Sequence, residues 1–574
     1  MRGTIFSEAT IVGYANSNSP GYSPLIGQGY GFVVGLNGTG SRDIGPELRA
    51  HMLAEMSRGG IGSARIGMRS LSPSAMLDSM DTAVVIVQGV IPQAATTGTR
   101  FDVRVTPVSG SSTTSLEGGT LYTTQLTPQL QIGRPSGKGF PLGKARGPIF
   151  INPFAEPGAM ESSIINRNTG RILNGGSVID DLPLKLRIFN PSHARAGMLV
   201  TAINTRFPQE PGMQDQTARG ESDDSIELSV PPSYKNRIDE FIDLLLHTTI
   251  RQANPESVAM SIKRILLSNP TLKIAQDSAL RWQALGPRAL PIIRELYTFP
   301  EERPRMAALL AGARLSDPLA VPELTKLARK GSLSIRLQTI RLMKRMALDP
   351  NVDQALRTLL NDENVNIRLE AYETLAFRGD PSIRHFPVDE KFYIDIVDSD
   401  SAPLVYITEI GLPRIVLFGT DISIKQPMTW QTWSNRIMVT GDSDDEELEV
   451  YYRPIKSQQG FISKVNPDLN EFIRFLGHTS TIERPEPGLG LSYGETVGLI
   501  YQICRSEYVK ADFRAQQDRI QAAIAAIQED EILLERPDFA DSDNDRFLPS
   551  PEEAMSTGQS GQASGRPLSS TGGE

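Results

Sequence analysis

Leu182-Pro183-Leu184-Lys185-Leu186-Arg187-Ile188-Phe189-Asn190-Pro191 is the stretch on which the fold turns. Leu182, Leu184, Leu186 and Ile188 alternate with Pro183, Lys185 and Arg187, so an extended chain here has one apolar side and one wet side. Asn190 then offers an N-cap, and Pro191 a first helical residue with no amide to satisfy. Ala194, Met198, Leu199, Ala202 and Ile203 follow at helical spacing and predict one apolar face, with Met198 and Ile203 set against the strand. Ile226, Leu228 and Val230 predict a second strand, with Glu227 and Ser229 on its other side and Pro231-Pro232 as its stop. Tyr234, Ile238, Phe241, Ile242 and Leu245 predict a second helix. Strand, helix, strand, helix is a compact α+β unit in which two helices cover one sheet face. Its free sheet edges and outer helix faces suit assembly with neighbours.

Upstream, the chain reads as β-rich with glycine punctuation. Gly31-Phe32-Val33-Val34-Gly35-Leu36 is a short apolar run bounded by glycines, as in a buried strand. Pro46 opens a helix carrying Leu48, Met52, Leu53 and Met56, and Gly59-Gly60 ends it. Ala83–Val87 and Phe101–Val105 predict two more strands, with Thr97-Gly98-Thr99 as a turn between them.

Downstream, residues 255–386 change to a helical pattern with an internal repeat. Arg305-Met306, Arg336-Leu337 and Arg368-Leu369 each open a helix, predicted over Met306–Leu315, Leu337–Leu348 and Leu369–Phe377. Ser316–Leu324 and Asn361–Asn364 read as turn-and-cap segments between them. The near-constant spacing predicts a short HEAT-type array of stacked helix pairs. Strands return at Phe392–Val397, Arg414–Gly419, Ile422–Lys425 and Ile437–Thr440. Val497, Leu499, Ile500 and Ile503 predict a helix. Phe513, Ile520, Ile524, Ile527 and Leu534 predict a longer amphipathic one, which Pro537 stops. From Asp541 onward Ser, Gly, Pro and acidic residues dominate, and disorder is expected.

Composition narrows the function. A chain of 574 residues calls for several domains, and 39% hydrophobic residues are enough to build their cores. A net charge of −9 argues against a nucleic-acid partner, which would need cations to displace counterions. One cysteine, Cys504, excludes an intramolecular disulfide and is expected to be a buried, inert thiol. The sequence holds no apolar run of the ~20 residues a membrane span needs. Met1–Phe6 carries one positive charge with no apolar stretch behind it, so no secretory signal peptide is expected.

The candidate chemistry is thin. Gly27-Gln28-Gly29-Tyr30-Gly31 and Gly35-Leu36-Asn37-Gly38-Thr39-Gly40 lack the spacing and the following Lys-Ser/Thr of a phosphate cradle, and read as strand edges and tight turns. His51, His193, His247, His385 and His478 are scattered where a zinc site would need a cluster. Asp442, Asp444, Asp445, Glu446 and Glu447 lack the alternating ligands and fixed glycine of a calcium loop, and predict a solvated hairpin tip. No catalytic, cofactor-binding or metal residue is assigned, and no cofactor or enzymatic activity is expected.

Several stretches resemble the bacterial flagellar P-ring protein family. Tyr30–Gly40 is similar to that family's N-terminal signature, and Thr97–Val103, Leu116–Leu121, Gly170–Gly176 and Ala202–Phe207 follow in the family's order. Ile415–Ile422 is a weaker match to a later strand. The resemblance implies a structural subunit of the basal body in the periplasm, assembling with itself as a homo-oligomeric ring. Its partners would be the distal rod and the L ring, with which it forms a bushing for motility. Peptidoglycan and a periplasmic assembly chaperone are further candidate partners; no nucleic acid and no membrane span are expected. The other reading is a HEAT-type interaction scaffold that retains a P-ring-like module. The expected organisation is a β-rich P-ring-like region (1–130), an α+β ring-building region (131–250) and HEAT-like helical repeats (251–386). A β-rich region ending in amphipathic helices (387–536) and a disordered tail (537–574) complete it.

Overall fold

The computed structural model describes residues 4–12, 25–59, 72–92, 94–128, 140–151, 167–235, 237–250, 254–454, 457–517 and 519. The expected helix face of Ile520, Ile524, Ile527 and Leu534 and the expected disorder of the tail lie outside these residues. Within them the fold is α+β, as the sequence predicts.

After β1 (Ala9–Val12), the first unit is built from β2 (Leu25–Val34), β3 (Thr82–Ile91), β4 (Arg100–Pro107), β5 (Thr120–Pro128), β6 (Gly143–Pro148) and β7 (Gly170–Val178). These strands close an antiparallel barrel in the order β2-β3-β4-β7-β6-β5, with β5 pairing back onto β2. Val33, Val85, Val87, Phe101, Val103, Leu121, Leu126 and Ile172 fill its interior, each large side chain contributing roughly 1.5–3 kcal/mol by leaving water. Two glycines make room for this packing. A Cβ at Gly29 would run into the carbonyl of Gln125, and one at Gly176 into the Phe101 ring. Outside the barrel, α1 (Pro46–Arg58) and α2 (Pro73–Leu77) bury Met52, Met56 and Leu77 against Phe32, Val84 and Val108.

The second unit holds β8 (Leu184–Ile188), α3 (His193–Arg206), β9 (Ala218–Gly220), β10 (Ser225–Leu228) and α4 (Ile238–His247). The sheet order is β1-β8-β10-β9, so the start of the chain supplies a strand that the local pattern does not reveal. Leu184, Leu186, Ile188, Ile226 and Leu228 pack under both helices, as expected. The α3 face needs correction. The helix begins after Ser192, not at Asn190, and Ala196, Leu199, Ala202 and Ile203 are its buried residues. Met198 is 46% exposed. At about 100° per residue, Met198 cannot share a face centred on Leu199 and Ile203. Tyr234 lies in a short 3₁₀ turn before α4 and stacks edge-on to Phe207.

Next come α5 (Pro255–Ser268), α6 (Leu272–Leu285), α7 (Leu290–Arg294), α8 (Glu302–Arg314), α9 (Val321–Lys330), α10 (Leu333–Lys344), α11 (Pro350–Leu359) and α12 (Val365–Arg378). One layer stacks α6 on α8, α8 on α10 and α10 on α12, while α5 meets α7 and α9 meets α11 in the other. Arg305, Arg336 and Arg368 fall in the first turns of α8, α10 and α12. Arg336 donates to the Ala328 carbonyl at 2.8 Å and Arg368 to the Leu360 carbonyl at 3.2 Å, each tying its helix to the one before. Val321–Leu324 opens α9 and is not part of a turn. The turn is shorter because Asp317 caps it through the Leu319 amide.

The last unit begins with β11 (Ile383–Val388), β12 (Phe392–Val397), β13 (Leu404–Ile407), β14 (Arg414–Phe418), β15 (Met428–Thr432), β16 (Ile437–Gly441), β17 (Leu448–Tyr452) and β18 (Phe461–Val465). It ends with α13 (Leu469–Gly477), α14 (Tyr493–Arg505) and β19 (Asp512–Ala515). Two sheets result, β11-β12-β14-β13-β19 and the meander β15-β16-β17-β18. Ile422–Lys425 is not a strand: it makes only isolated bridges, Ser423 to Asp468 and Ile424 to Val509, while Ile422 and Ile424 bury their side chains. Phe513 lies on β19, beside Val405, and not on a helix. Pairing with β13 outweighs its helical spacing to Ile520.

Candidate functional site

Four of the six family-like segments converge on the barrel. The Gly35–Gly40 turn is fixed at one mouth, where the Leu36 amide donates to Asp81 and the Gly40 amide to Met80. Thr39 Oγ1 bonds the Leu36 and Ser115 carbonyls, and the Thr114 amide donates to the Thr39 carbonyl. Leu116–Leu121 therefore lies against the same turn, with Arg167 and Glu117 paired at 3.2 Å beside it. The expected turn is present and serves strand closure.

Thr97–Val103 and Gly170–Gly176 meet across β4 and β7, where Phe101 faces Gly176. Asp102 is buried there. One carboxylate oxygen accepts from the Asn174 amide at 2.5 Å and the other from the Gly411 amide at 3.0 Å. A barrel residue thus holds the loop before β14, far along the chain. Phe150 also reaches Tyr493 of α14, with ring centroids 5.5 Å apart. Between the two units lies a cleft of about 420 Å³, lined among others by Arg100, Phe150, Asn174, Asp389, Tyr393 and Tyr493. Two of its ionic groups, Asp389 and Lys391, are held by structure. Asp389 accepts from His478 and from the Thr479 amide, and Lys391 donates to the carbonyls of Gly477, Gly490 and Leu491.

The densest group of charges lies between α12 and the C-terminal sheet. Arg341 grips Glu370 with two bonds of 3.0 and 3.1 Å, and Arg519 adds a third at 3.0 Å. Burial would raise the Glu370 carboxyl, but Arg341 and Arg519 overcome it and hold its pKa at about 2. Glu373 accepts from Tyr406 and Arg414; Arg414 also donates to Tyr372, which donates to Asp395. His385 closes the chain on Asp395 at 2.6 Å. Acids and bases here satisfy one another, which is the chemistry of a joint between two units.

The remaining singled-out residues do not gather. His51 meets the Tyr30 ring, His247 the Asp243 carbonyl, and His193 begins α3 exposed. Among the described residues no group of three His, Cys, Asp or Glu is placed to hold a metal ion. Asp442–Glu447 forms the exposed turn between β16 and β17. Cys504 is half-buried on α14, and burial pushes its thiol up to about 12. Asp102 and the Glu370 network are what the sequence analysis lacks. A carboxylate between Phe101 and Val103, and Glu370 and Glu373 on a helix whose neighbours are apolar, are the signals that point to them.

Comparison with known proteins is consistent along this length. The family model described as Flagellar P-ring protein matches residues 22–265, which cover the barrel, the α/β unit apart from β1, and most of α5. Ile415–Ile422 lies outside that span. The flagellar P-ring protein of Geotalea uraniireducens is 30% identical over 318 residues, half of this chain and 79% of that one. That of Geobacter sulfurreducens is 28% identical over 242 residues, 41% of this chain and 59% of that one. For Gluconobacter oxydans the figures are 33% over 190 residues, 31% and 45%. Against the latter two, the chain spans about half the relative's length.

Proposed function

Because the chain belongs to the flagellar P-ring protein family, we propose that it is a structural subunit of the flagellar basal body that closes with copies of itself into a ring around the distal rod. The observation that carries this reading is the placement of the family-like segments. Tyr30–Gly40, Thr97–Val103, Leu116–Leu121 and Gly170–Gly176 are walls and turns of one closed barrel, and Ala202–Phe207 ends the helix of the unit beside it. In this reading the ring lies in the periplasm at the peptidoglycan layer and forms a bushing with the L ring. Peptidoglycan and an assembly chaperone are candidate partners.

The helices from Pro255 to Arg378 serve as a rigid spacer. At one end Glu240 of α4 accepts from Gln283 and Arg345, and Arg206 of α3 donates to the Gln283 and Ala284 carbonyls. At the other end stands the Glu370 network. The test is electron microscopy of basal bodies isolated from cells carrying the tagged chain. Label on a ring encircling the distal rod is expected. Label elsewhere, or basal bodies without the chain, would contradict the reading.

A further inference from the structure

Two oppositely charged surfaces of this chain have no ion-pair partner among the described residues. The first is on the barrel wall. Phe101 and Ala145 point into the barrel, so Arg100 on β4 and Lys144 on β6 point out. Both are register partners of Ser177 on β7, and so flank it on one face. Arg146, two residues beyond Lys144, shares that side; all three are exposed, with Arg100 at the rim of the cleft that Asp389 and Glu390 also line. Among the described residues none of the three makes an ion pair. Asp102 on the same face is committed to the Asn174 and Gly411 amides, and Asp181 beyond β7 to Thr97. The second surface is the β16–β17 turn. Gly441 and Leu448 are buried and anchor it, while Asp442, Asp444, Asp445, Glu446 and Glu447 are all exposed. The Asp442 amide donates to Asp445 and shapes the turn, and no cation of the described residues reaches its carboxylates.

We propose that the barrel wall at Arg100, Lys144 and Arg146 receives the acidic Asp442–Glu447 turn of a neighbouring copy of this chain. The surfaces are different, so the contact is head-to-tail, the kind that closes a ring by rotation. Exposed charges of this sort add little affinity singly; they steer encounter and reject wrong registers. The inference rests on the reading of the chain as a ring subunit.

The test is a charge swap in the full chain, read as incorporation into isolated basal bodies. Lys144→Glu with Arg146→Glu, and separately Asp444→Lys with Glu446→Lys, should each lower incorporation about tenfold, since like charges then face each other across the contact. All four positions are exposed, so melting temperatures should match the parent. Combining the four substitutions restores opposite charges and should restore incorporation. Unchanged incorporation in either pair overturns the proposal. Loss that the combined variant does not rescue overturns it too, and gives the basic wall to another partner. Parent chain missing from the rings would sink the ring reading and this contact together, and is told apart because it precedes any substitution.

Discussion

Inside the barrel, Val85, Val87, Val103, Val105 and Ile172 meet one another with no charge among them. At the boundary of α12 and the C-terminal sheet, Glu370, Glu373, Arg341, Arg414 and Arg519 share one buried network. Both regions exclude water, but they respond to damage in opposite ways. An apolar core loses in proportion to the methyl groups removed. A buried ion network loses little when replaced as a whole and much when one member is removed, because a charge is then left without its partner. The barrel is therefore tolerant of small changes, and the boundary is not.

The largest expected effect follows from that difference. Glu370→Ala strands Arg341 and Arg519 and should lower stability by ~3–5 kcal/mol, measured by denaturant unfolding. The same site predicts a pH signature. Glu370 titrates near 2 in the folded chain against an ordinary 4.5. Its contribution is thus complete above about 4.5 and is lost as pH falls toward 2. The melting-temperature gap between the parent and Glu370→Gln should shrink across that window. A constant gap would show that the network is not holding a charged Glu370.

Next in size is a comparison within the array. Asp317-Pro318, Asp349-Pro350 and Asp380-Pro381 stand at successive corners. Arg294 binds Asp317 with two bonds of 2.9 Å, and Arg357 binds Asp380 likewise at 3.1 and 2.9 Å. Among the described residues, the Asp349 carboxylate bonds only to Asn351. Asp317→Ala should cost ~1–3 kcal/mol, and Asp349→Ala only the ~1 kcal/mol of a lost cap. Equal losses in thermal melts would mean that the arginine pairs add nothing.

Smaller again is Ile172→Val in the barrel, at ~0.5–1.5 kcal/mol with no dependence on pH between 4.5 and 2. A pH-dependent loss there would erase the contrast between the two regions. The smallest effect belongs to Met198→Ala, which should stay within ~0.5 kcal/mol of the parent because Met198 is exposed. A large drop in melting temperature would return Met198 to the core.

Met198 also marks where the sequence runs out. Strand alternation in Leu184–Ile188 and Phe101–Val105 is local, and the structure has both strands with those residues inward. The expected α3 face is too wide: Met198 is apolar and four residues before Ala202, but it lies more than about 90° from the line through Leu199 and Ile203 that meets the sheet. Long-range pairing left still less trace. One of the two partners of β8 is β1, some 175 residues earlier by sequence position, and β13 takes Phe513 into a sheet against its helical spacing. The α13 helix, with Leu469, Phe472, Ile473 and Leu476 buried, is likewise absent from the sequence analysis, since so short an apolar run fits strand or helix. Asp102 was readable only as a charged residue in a half-buried strand. Its role needs Gly411, which no local pattern connects to it.

The central claim is that this chain builds a P ring, and the most direct measurement is loss and return of that ring. Basal bodies from cells deleted for the chain should lack a ring around the distal rod in electron micrographs, and the cells should not swim. Restoring the full chain should restore both the ring and motility. An intact ring in the deleted cells would contradict the account.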